Sequence, residues 1–573
     1  MCIFAKNINL LIPAMKYWLI NPKNEGSNTD LSDESYDSIY MGWPADKCPK
    51  FYNDVQIGDY IIVTEGAHTN TRLHYIGRAI SLENNCWHLS HSTDSLNEEV
   101  SKIIRNNPKD FGGGESKNPW GSTKSIIELT SNPSEKVIKE LINNHFMKVE
   151  NRERVGEYER MLISNHSIIL TGAPGTGKTY LAKQIAAQMI LGKEYDETTA
   201  SDEEKKKMKE QCAFVQFHPS YDYTDFVEGL RPIDDGKGNI SFKRQNGVFK
   251  SFCEDAIEQP SAKITKSAAT NMLDWCKNNF PNDPIKSIRE GKYIPFEIQN
   301  GHIYATDKKY PVSDNSIIRY LRTQVYNPQH ETYAPTIGQY ILNHYRGEIE
   351  KSPADKKAKY VFIIDEINRG EISKIFGELF FSIDPGYRGP NGIVKTQYQN
   401  LIEEDDIFYD GFYVPKNVYI IGTMNDIDRS VESMDFAFRR RFAFKEVTAQ
   451  ESQQMLDSDS AWGKDENGKS RKPSPEIISE IKKRMDALNN AICPDNLDKN
   501  NSDKKGIDGL SSAYHIGASY FLKLVNYMND GSVDYQKLWD NHLKGLLFEY
   551  LRGMPDAEGK LETLENAFFS KQS

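Results

Sequence analysis

Apolar residues come in short bursts along this chain, and the spacing of the bursts changes character several times. Around residues 60–63 and 74–80 they read as short strands with turn residues between them. Past Gly112-Gly113-Gly114 a helical stretch is predicted at about 134–144, and a second helix-like stretch at 152–164. The run 167–170 is apolar and stops at a glycine-rich turn. Beyond it Leu181, Ile185, Ala186 and Met189 fall on one face of a helix. Further apolar runs at 213–217, 360–364 and 418–421 read as buried strands. Near-continuous apolar strands alternating with helices are what a parallel sheet covered on both faces requires, so this part of the chain is predicted to be α/β.

The pattern breaks between about 260 and 355. Residues 295–305 alternate apolar and polar around Asn300-Gly301, a strong hairpin signal. Helix-like segments follow near 316–324 and 335–345, which suggests a small α+β insertion. Residues 473–553 read as helical, while 457–472 and 495–508 are polar, loop-like stretches. The expected organisation is a first unit at 1–145, an α/β core at 146–260 and 356–450 interrupted by the insertion at 261–355, and a helical lid with its tail at 451–573. No internal repeat is visible.

Composition narrows the class. At 573 residues the chain has room for about three to five domains. Its hydrophobic content of 38% is enough to build cores. The net charge is −11, so any contact with nucleic acid has to be local or made within an assembly. The seven cysteines are odd in number and contain no C-x-x-C pair, against a disulfide framework or a zinc ribbon. The apolar stretch at 8–12 is short and lacks a cleavable signal's exit. No run approaches the roughly 18 apolar residues that span a bilayer. The expectation is a cytoplasmic protein without a membrane partner.

Three motifs carry chemistry. Gly172-Ala173-Pro174-Gly175-Thr176-Gly177-Lys178-Thr179 satisfies G-x-x-x-x-G-K-[ST] in full, after a predicted strand and at the start of a predicted helix. Glycines let backbone N–H groups turn inward around phosphates, Lys178 brings charge to them, and the Thr179 hydroxyl suits Mg²⁺. Tyr180 follows directly and joins the expected nucleotide contacts. The run 360–364 ends in Asp365-Glu366, where ligands sit at the carboxyl ends of parallel strands. There Asp365 suits the Mg²⁺ shell, and Glu366 suits orientation and deprotonation of the attacking water. The third strand ends in Asn425, a sensor of the terminal phosphate or else an ordinary turn residue. Arg439-Arg440-Arg441 follows, either a solvated charge run or an arginine supplied to a neighbouring subunit's site.

Beyond these, 214–221 (FVQFHPSY), 225–229 (DFVEG), 364–370 (IDEINRG), 424–430 (MNDIDRS) and 516–521 (IGASYF) resemble the McrB family, the nucleotide-hydrolysing subunits of modification-dependent restriction systems. The resemblance covers roughly 160–260 and 356–555. It implies an AAA+ P-loop fold with a helical lid, a hexameric ring, GTP in preference to ATP, Mg²⁺, and recruitment of an McrC-type endonuclease. The family's N-x-x-D pattern, tied to base preference, is matched by Asn425 and Asp428. Two departures stand out: Ala518 lies where the family often has histidine, and the insertion at 261–355 is outside the family pattern. The segments 17–22, 41–44, 55–63 and 75–79 resemble an EVE domain, a small α+β barrel of the PUA-like class that holds flipped modified bases. Trp18, Trp43 and Trp87 are its candidate stacking residues, or else core aromatics of a small barrel.

The resulting expectation is an AAA+ motor that reads modified double-stranded DNA and drives a separate nuclease, since no nuclease constellation stands out. The rival expectation is a remodeller of protein complexes similar to MoxR or dynein-related ATPases.

Overall fold

The computed structural model describes residues 16–20, 38–40, 53–65, 72–83, 86–90, 94–106, 126–129, 133–234, 240–257, 264, 266–288, 292–306, 310–324, 326, 332–346, 358–404, 406–427, 436–466, 468–494, 506–529 and 532–570. The chain divides into two compact units, Met1–Glu153 and Arg154–Ser573. The division falls inside one helix, Pro133–Asn165, which merges the two stretches expected at 134–144 and 152–164. Nothing between those stretches breaks a helix: no proline intervenes, and the residues there favour its continuation.

The first unit is built on a six-stranded mixed sheet. Its order is Ser38–Tyr40, Cys86–Leu89, Arg72–Glu83, Tyr60–Glu65, Tyr17–Ile20, Ile126–Glu128. Among the described residues no pairing between the two end strands closes it into a barrel. The strand expected at 74–80 runs longer, over Arg72–Glu83. Tyr17, Tyr60, Ile62 and Ile76 pack one face of the sheet against Val100, Ile104, Ile138, Ile142 and Phe146 of two helices.

Trp18 is 1% exposed, and its indole N–H donates to Asp59 Oδ2 at 2.8 Å. The same carboxylate accepts backbone N–H groups of Lys16 at 2.9 Å and Gln56 at 3.0 Å. Trp18 therefore takes the core alternative: a ring with both faces covered has none to offer a base. Trp43 lies outside the described residues. Trp87 is in the strand Cys86–Leu89, and its side chain also lies outside them.

The second unit contains a five-stranded parallel sheet ordered Ala443–Glu446, Ser167–Thr171, Val418–Thr423, Tyr360–Asp365, Cys212–Gln216. Successive side chains of a strand point to opposite faces, and two cores follow from this alternation. On one face Ile168, Leu170, Val361, Ile363 and Ile421 meet Leu181, Ile185, Ala186 and Met189 of the helix Lys178–Leu191. On the other, Ile169, Phe362, Ile364 and Ile420 pack against Phe226, Phe249, Phe376 and Phe438. Burial on both faces explains why the three central strands read as continuous apolar runs.

The edge strand Ala443–Glu446 has no such run, and its pairing with Ser167–Thr171 alone defines it. At the opposite end of the sheet from the motifs, buried Arg388 donates to the carbonyls of Ile383 and Val418 and to Ser167 Oγ, at 2.9, 3.1 and 2.9 Å. It ties together the starts of two central strands.

After the second strand in the sequence, Glu228–Asp234 and Ile240–Asn246 form an antiparallel hairpin that the hydrophobic pattern does not reveal. The described residues between 264 and 346 form an α+β body with its own core around Met272, Leu273, Ile303, Ile317, Leu321, Ile337 and Ile341. Within it, Phe296–Gln299 and His302–Ala305 pair as the hairpin expected at Asn300-Gly301. The stretch expected to be a loop at 457–472 instead begins with short helices, and Trp462 is buried there, donating its indole N–H to the Leu456 carbonyl at 2.8 Å. The lid core joins Ile478, Ile481, Met485 and Leu488 to Phe521, Trp539, Leu547, Leu564 and Phe568. Among the described residues, no helix is long and apolar enough to cross a membrane. Cys212, Cys253 and Cys276 are free thiols.

Candidate nucleotide site

The glycine-rich loop lies between the strand Ser167–Thr171 and the helix Lys178–Leu191, whose N-terminus gives it unpaired N–H groups and a positive helix end. Gly172, Gly175 and Gly177 have φ of 136°, 78° and 82°, a region L side chains avoid. Space as well as φ demands glycine at 175, where an added Cβ would come 2.6 Å from Ser519 Oγ and 2.7 Å from the Tyr520 ring. Those two residues belong to the lid segment. Gly517 N–H donates to the Pro174 carbonyl at 3.0 Å and Ser519 N–H to the Gly175 carbonyl at 3.1 Å. Ala518, where the resembling family often has histidine, is buried, and its N–H donates to Ser452 Oγ at 2.9 Å.

Lys178 is 7% exposed. Its ammonium donates to the carbonyls of Gly172 at 2.9 Å and Ala173 at 2.8 Å. Burial pulls its pKa down to about 8, against the opposing pull of Asp426, Asp365 and Glu366. Asp426 is shifted the other way: loss of solvation raises its carboxyl, while Lys178, the Gly172 backbone and Arg439 work against the rise.

Asp365 ends its strand, and its Oδ1 accepts hydroxyl hydrogens from Thr179 at 2.7 Å and Thr423 at 2.6 Å. Thr423 Oγ1 in turn accepts the Glu366 backbone N–H at 3.1 Å. The ends of two parallel strands and the start of one helix thus converge on one carboxylate. The donor set fits Mg²⁺, which takes hard oxygens, usually from one or two protein groups with phosphates and water completing the shell. Thr179 and Asp365 are the residues that would hold it.

Glu366 stands in a left-handed conformation, φ 52° and ψ 46°. Its Oε2 accepts from Gln216 Nε2 at 3.2 Å and pairs with Arg369 Nε at 2.9 Å. Asn425 is half-buried just past the strand Val418–Thr423, and its carbonyl accepts from Asn368 Nδ2 at 3.3 Å. Asp428 lies outside the described residues. Tyr180 is exposed on the first turn of its helix.

The three arginines separate. The Arg439 guanidinium lies 5.4 Å from the Phe444 ring centroid and Arg441 5.7 Å from that of Phe380. Arg441 also donates to the Ala437 carbonyl, whereas Arg439 and Arg440 are exposed.

The structure brings Lys178, Thr179 and Asp365 together as the motifs suggest, with Glu366 adjoining. It adds Thr423, Asp426 and Gln216, whose part in the site no motif announces. Gln216 and Thr423 were detectable in principle as the polar residues ending apolar parallel strands. The lid contacts of Gly517 and Ser519 had no such signal, because they are made through backbone atoms.

Residues 322–442 match the family model described as AAA domain (dynein-related subfamily), and residues 150–217 match one described as Novel STAND NTPase 3. The chain is 26% identical over 407 residues to the Type IV methyl-directed restriction enzyme EcoKMcrB subunit of Escherichia coli, a match covering 70% of this chain and 56% of that protein. It is 26% identical over 132 residues to the Type II restriction enzyme BsuMI component YdiS of Bacillus subtilis, covering 22% of this chain and 38% of that one. The chain thus spans little more than half of one relative and well under half of the other. A structure of C. elegans PCH-2 overlaps at 11% identity, covering 73% of this chain and 68% of that one, with a TM-score of 0.20, too loose to carry an argument. The matched AAA domain and the five-stranded parallel sheet with its flanking helices fit an α/β fold of the AAA+ class for the second unit.

Proposed function

We propose that this chain is the motor subunit of a DNA restriction system: it hydrolyses GTP in preference to ATP, reads modified double-stranded DNA through residues 1–145, and drives a separate McrC-type endonuclease. The observation that carries the motor reading is the convergence of Thr179 and Thr423 on Asp365, beside a buried Lys178 at a helix N-terminus. The restriction reading draws on the two restriction proteins the chain resembles. The GTP preference draws on the Asn425 and Asp428 spacing.

In this reading Lys178 exchanges its two loop carbonyls for the β- and γ-phosphates. Thr179 and Asp365 hold Mg²⁺, which when bound neutralises charge building on the phosphoryl oxygens. Glu366 takes a proton from the attacking water, and Asn425 orients that water. An arginine of the 439–441 run completes a neighbouring subunit's site in a hexameric ring. Trp43 and Trp87 remain the candidates for stacking on a flipped base.

The test is steady-state turnover of GTP and ATP by the full chain, alone, with modified and unmodified duplexes, and with the partner nuclease. Turnover stimulated by modified DNA supports the reading. Turnover indifferent to every DNA but stimulated by a protein complex would favour a remodelling ATPase instead, a second reading that the dynein-related description of the matched domain supports.

A further inference from the structure

We propose that the α+β insertion holds a nucleic-acid site of its own, which binds a single strand: one unpaired base enters a cavity on the helix Tyr333–His344, the adjoining phosphate meets Lys286, and the next base lies on Tyr293. The inference rests neither on the motor reading nor on the base reader at 1–145.

A cavity of about 330 Å³ opens between that helix and the segment leading into the strand Ile285–Lys286. That is the size of a small-ligand site. Gln339, Tyr340, Asn343 and His344 line it from the helix, at the three- and four-residue spacings that put side chains on one face. The Tyr340 and His344 rings stack, with centroids 4.1 Å apart and 24° between their planes. His344 Nδ1 lies 2.8 Å from the Tyr340 carbonyl, which only accepts, so this nitrogen carries the hydrogen and the imidazole is held against the phenol. His344 is the exposed member of the pair, where a further ring can join the stack. Asn343 is set in the same way. The Tyr320 hydroxyl donates to Gln339 Oε1 at 3.0 Å, and Gln339 Nε2 donates to Asn343 Oδ1 at 3.1 Å. The Asn343 amide nitrogen then has no acceptor among the described residues. An amide donor beside an aromatic stack suits the edge of an unstacked base.

The facing segment supplies charge. Lys286 lines the cavity and pairs across a two-stranded ribbon with Tyr293. Directly opposed residues share a face of a sheet, so an exposed cation and a ring 68% exposed stand side by side at the cavity's edge. Cations that track a backbone, beside aromatics on which bases stack, bind single strands with little regard to sequence. Bases in a duplex are already stacked and paired, and cannot fill the cavity. The local charge agrees: between residues 264 and 346 ten lysines and arginines stand against seven aspartates and glutamates, in a chain whose net charge is −11. Asp283 also lines the cavity, so phosphate contacts are few and stacking carries most of the affinity.

The experiment titrates a fluorescent oligodeoxythymidylate of about a dozen nucleotides with the full chain, following anisotropy across a salt series. An unmodified duplex of the same length and thymidine monophosphate are the comparisons. Tyr293→Ala and His344→Ala remove exposed rings, and each should weaken the single strand about 5–150-fold, the range for one lost stack. Lys286→Ala should weaken it too and lower the salt slope by about 0.7. Thermal unfolding at the parent temperature shows that the variants are folded. Parent-like affinity of all three variants for the single strand overturns the proposal, as does a parent chain that does not bind it. Equal weakening of single strand and duplex overturns the choice of an unpaired base. Thymidine monophosphate binding as tightly as the oligonucleotide overturns the strand in favour of a free nucleotide.

Discussion

The backbone N–H of Gly517 donates to the carbonyl of Pro174 at 3.0 Å, so the lid rests directly on the phosphate loop. Gly517 has an ordinary φ of −77°, and it is space that requires glycine there. A Cβ would overlap the Gly175 carbonyl and the Thr176 nitrogen at well under 3.0 Å, and both are backbone atoms that cannot swing aside. Gly517→Ala is expected to lift the lid segment and weaken nucleotide binding, at a cost of roughly 1–3 kcal/mol for overpacking. Gly545, within the helix Lys544–Leu551, meets nothing within 4 Å. Gly545→Ala should therefore be neutral or stabilising by up to about 1 kcal/mol. Thermal unfolding and nucleotide titration of both variants decide the matter, and equal behaviour would refute the clamp.

Lys178 is expected to make nucleotide binding depend on pH. Burial holds its pKa at about 8 in the nucleotide-free chain, against 10.5 ordinarily. Between those values the unfolded chain binds the extra proton, so this group's contribution to the stability of the nucleotide-free fold rises with pH there. Phosphates favour the charged amine and pull the proton back. Calorimetry in buffers of different ionisation enthalpy should show uptake approaching about one proton at about pH 9 and close to none at about pH 7. Lys178→Ala should lose both the uptake and most of the turnover. PH-independent proton traffic in the parent would mean that another group ionises.

Glu366→Gln should still bind nucleotide and Mg²⁺ but turn over about 10²–10⁴-fold more slowly, since the amide keeps the shape and loses the proton acceptor. Binding of a slowly hydrolysed analogue, measured beside turnover, separates the two effects. A variant unable to bind at all would place Glu366 in a structural role.

Arg439 and Arg440 are exposed, Arg439 with its guanidinium over the Phe444 ring, whereas Arg441 is half-buried and donates to the Ala437 carbonyl of its own chain. The trans-acting arginine is accordingly expected at 439 or 440. Mixing Arg439→Ala or Arg440→Ala chains with Glu366→Gln chains should restore part of the hydrolysis, because one interface in the mixture then carries both groups. No rescue at either position, in rings shown to be mixed, would count against a contribution from the neighbour.

Trp18 and Trp43 are expected to behave differently. Trp18→Ala removes a fully buried ring and one of the three N–H donors to the Asp59 carboxylate, so it should destabilise the first unit by about 3–5 kcal/mol. Trp43→Ala should leave the fold intact and weaken modified DNA more than unmodified, by about 1–3 kcal/mol for one lost stack. The full chain would be titrated with duplexes carrying methylated or hydroxymethylated cytosine or methylated adenine. Equal affinity across the panel, unchanged by Trp43→Ala, would remove the base-reading proposal.

The sequence by itself determined the parts of this protein whose physics is local. A loop that must turn backbone N–H groups toward phosphates needs its glycines in order, so residues 172–179 were legible. Strands buried on both faces must be continuously apolar, so 167–170, 360–364 and 418–421 were legible, and Asp365 and Glu366 with them. Asn300-Gly301 announced its hairpin in the same way. What the tertiary structure alone decided is everything that depends on which distant elements meet. The strand Ala443–Glu446 has no apolar run of its own and exists through its pairing with Ser167–Thr171. Trp18 reads equally well as a stacking platform or as core until Asp59 is found on its indole nitrogen. The seating of Gly517 on Pro174 and the grip of Gln216 and Arg369 on Glu366 are likewise invisible in composition or periodicity. A backbone hydrogen bond leaves no residue signature, and the partner of a carboxylate is set by the path of the chain rather than by its neighbours in sequence.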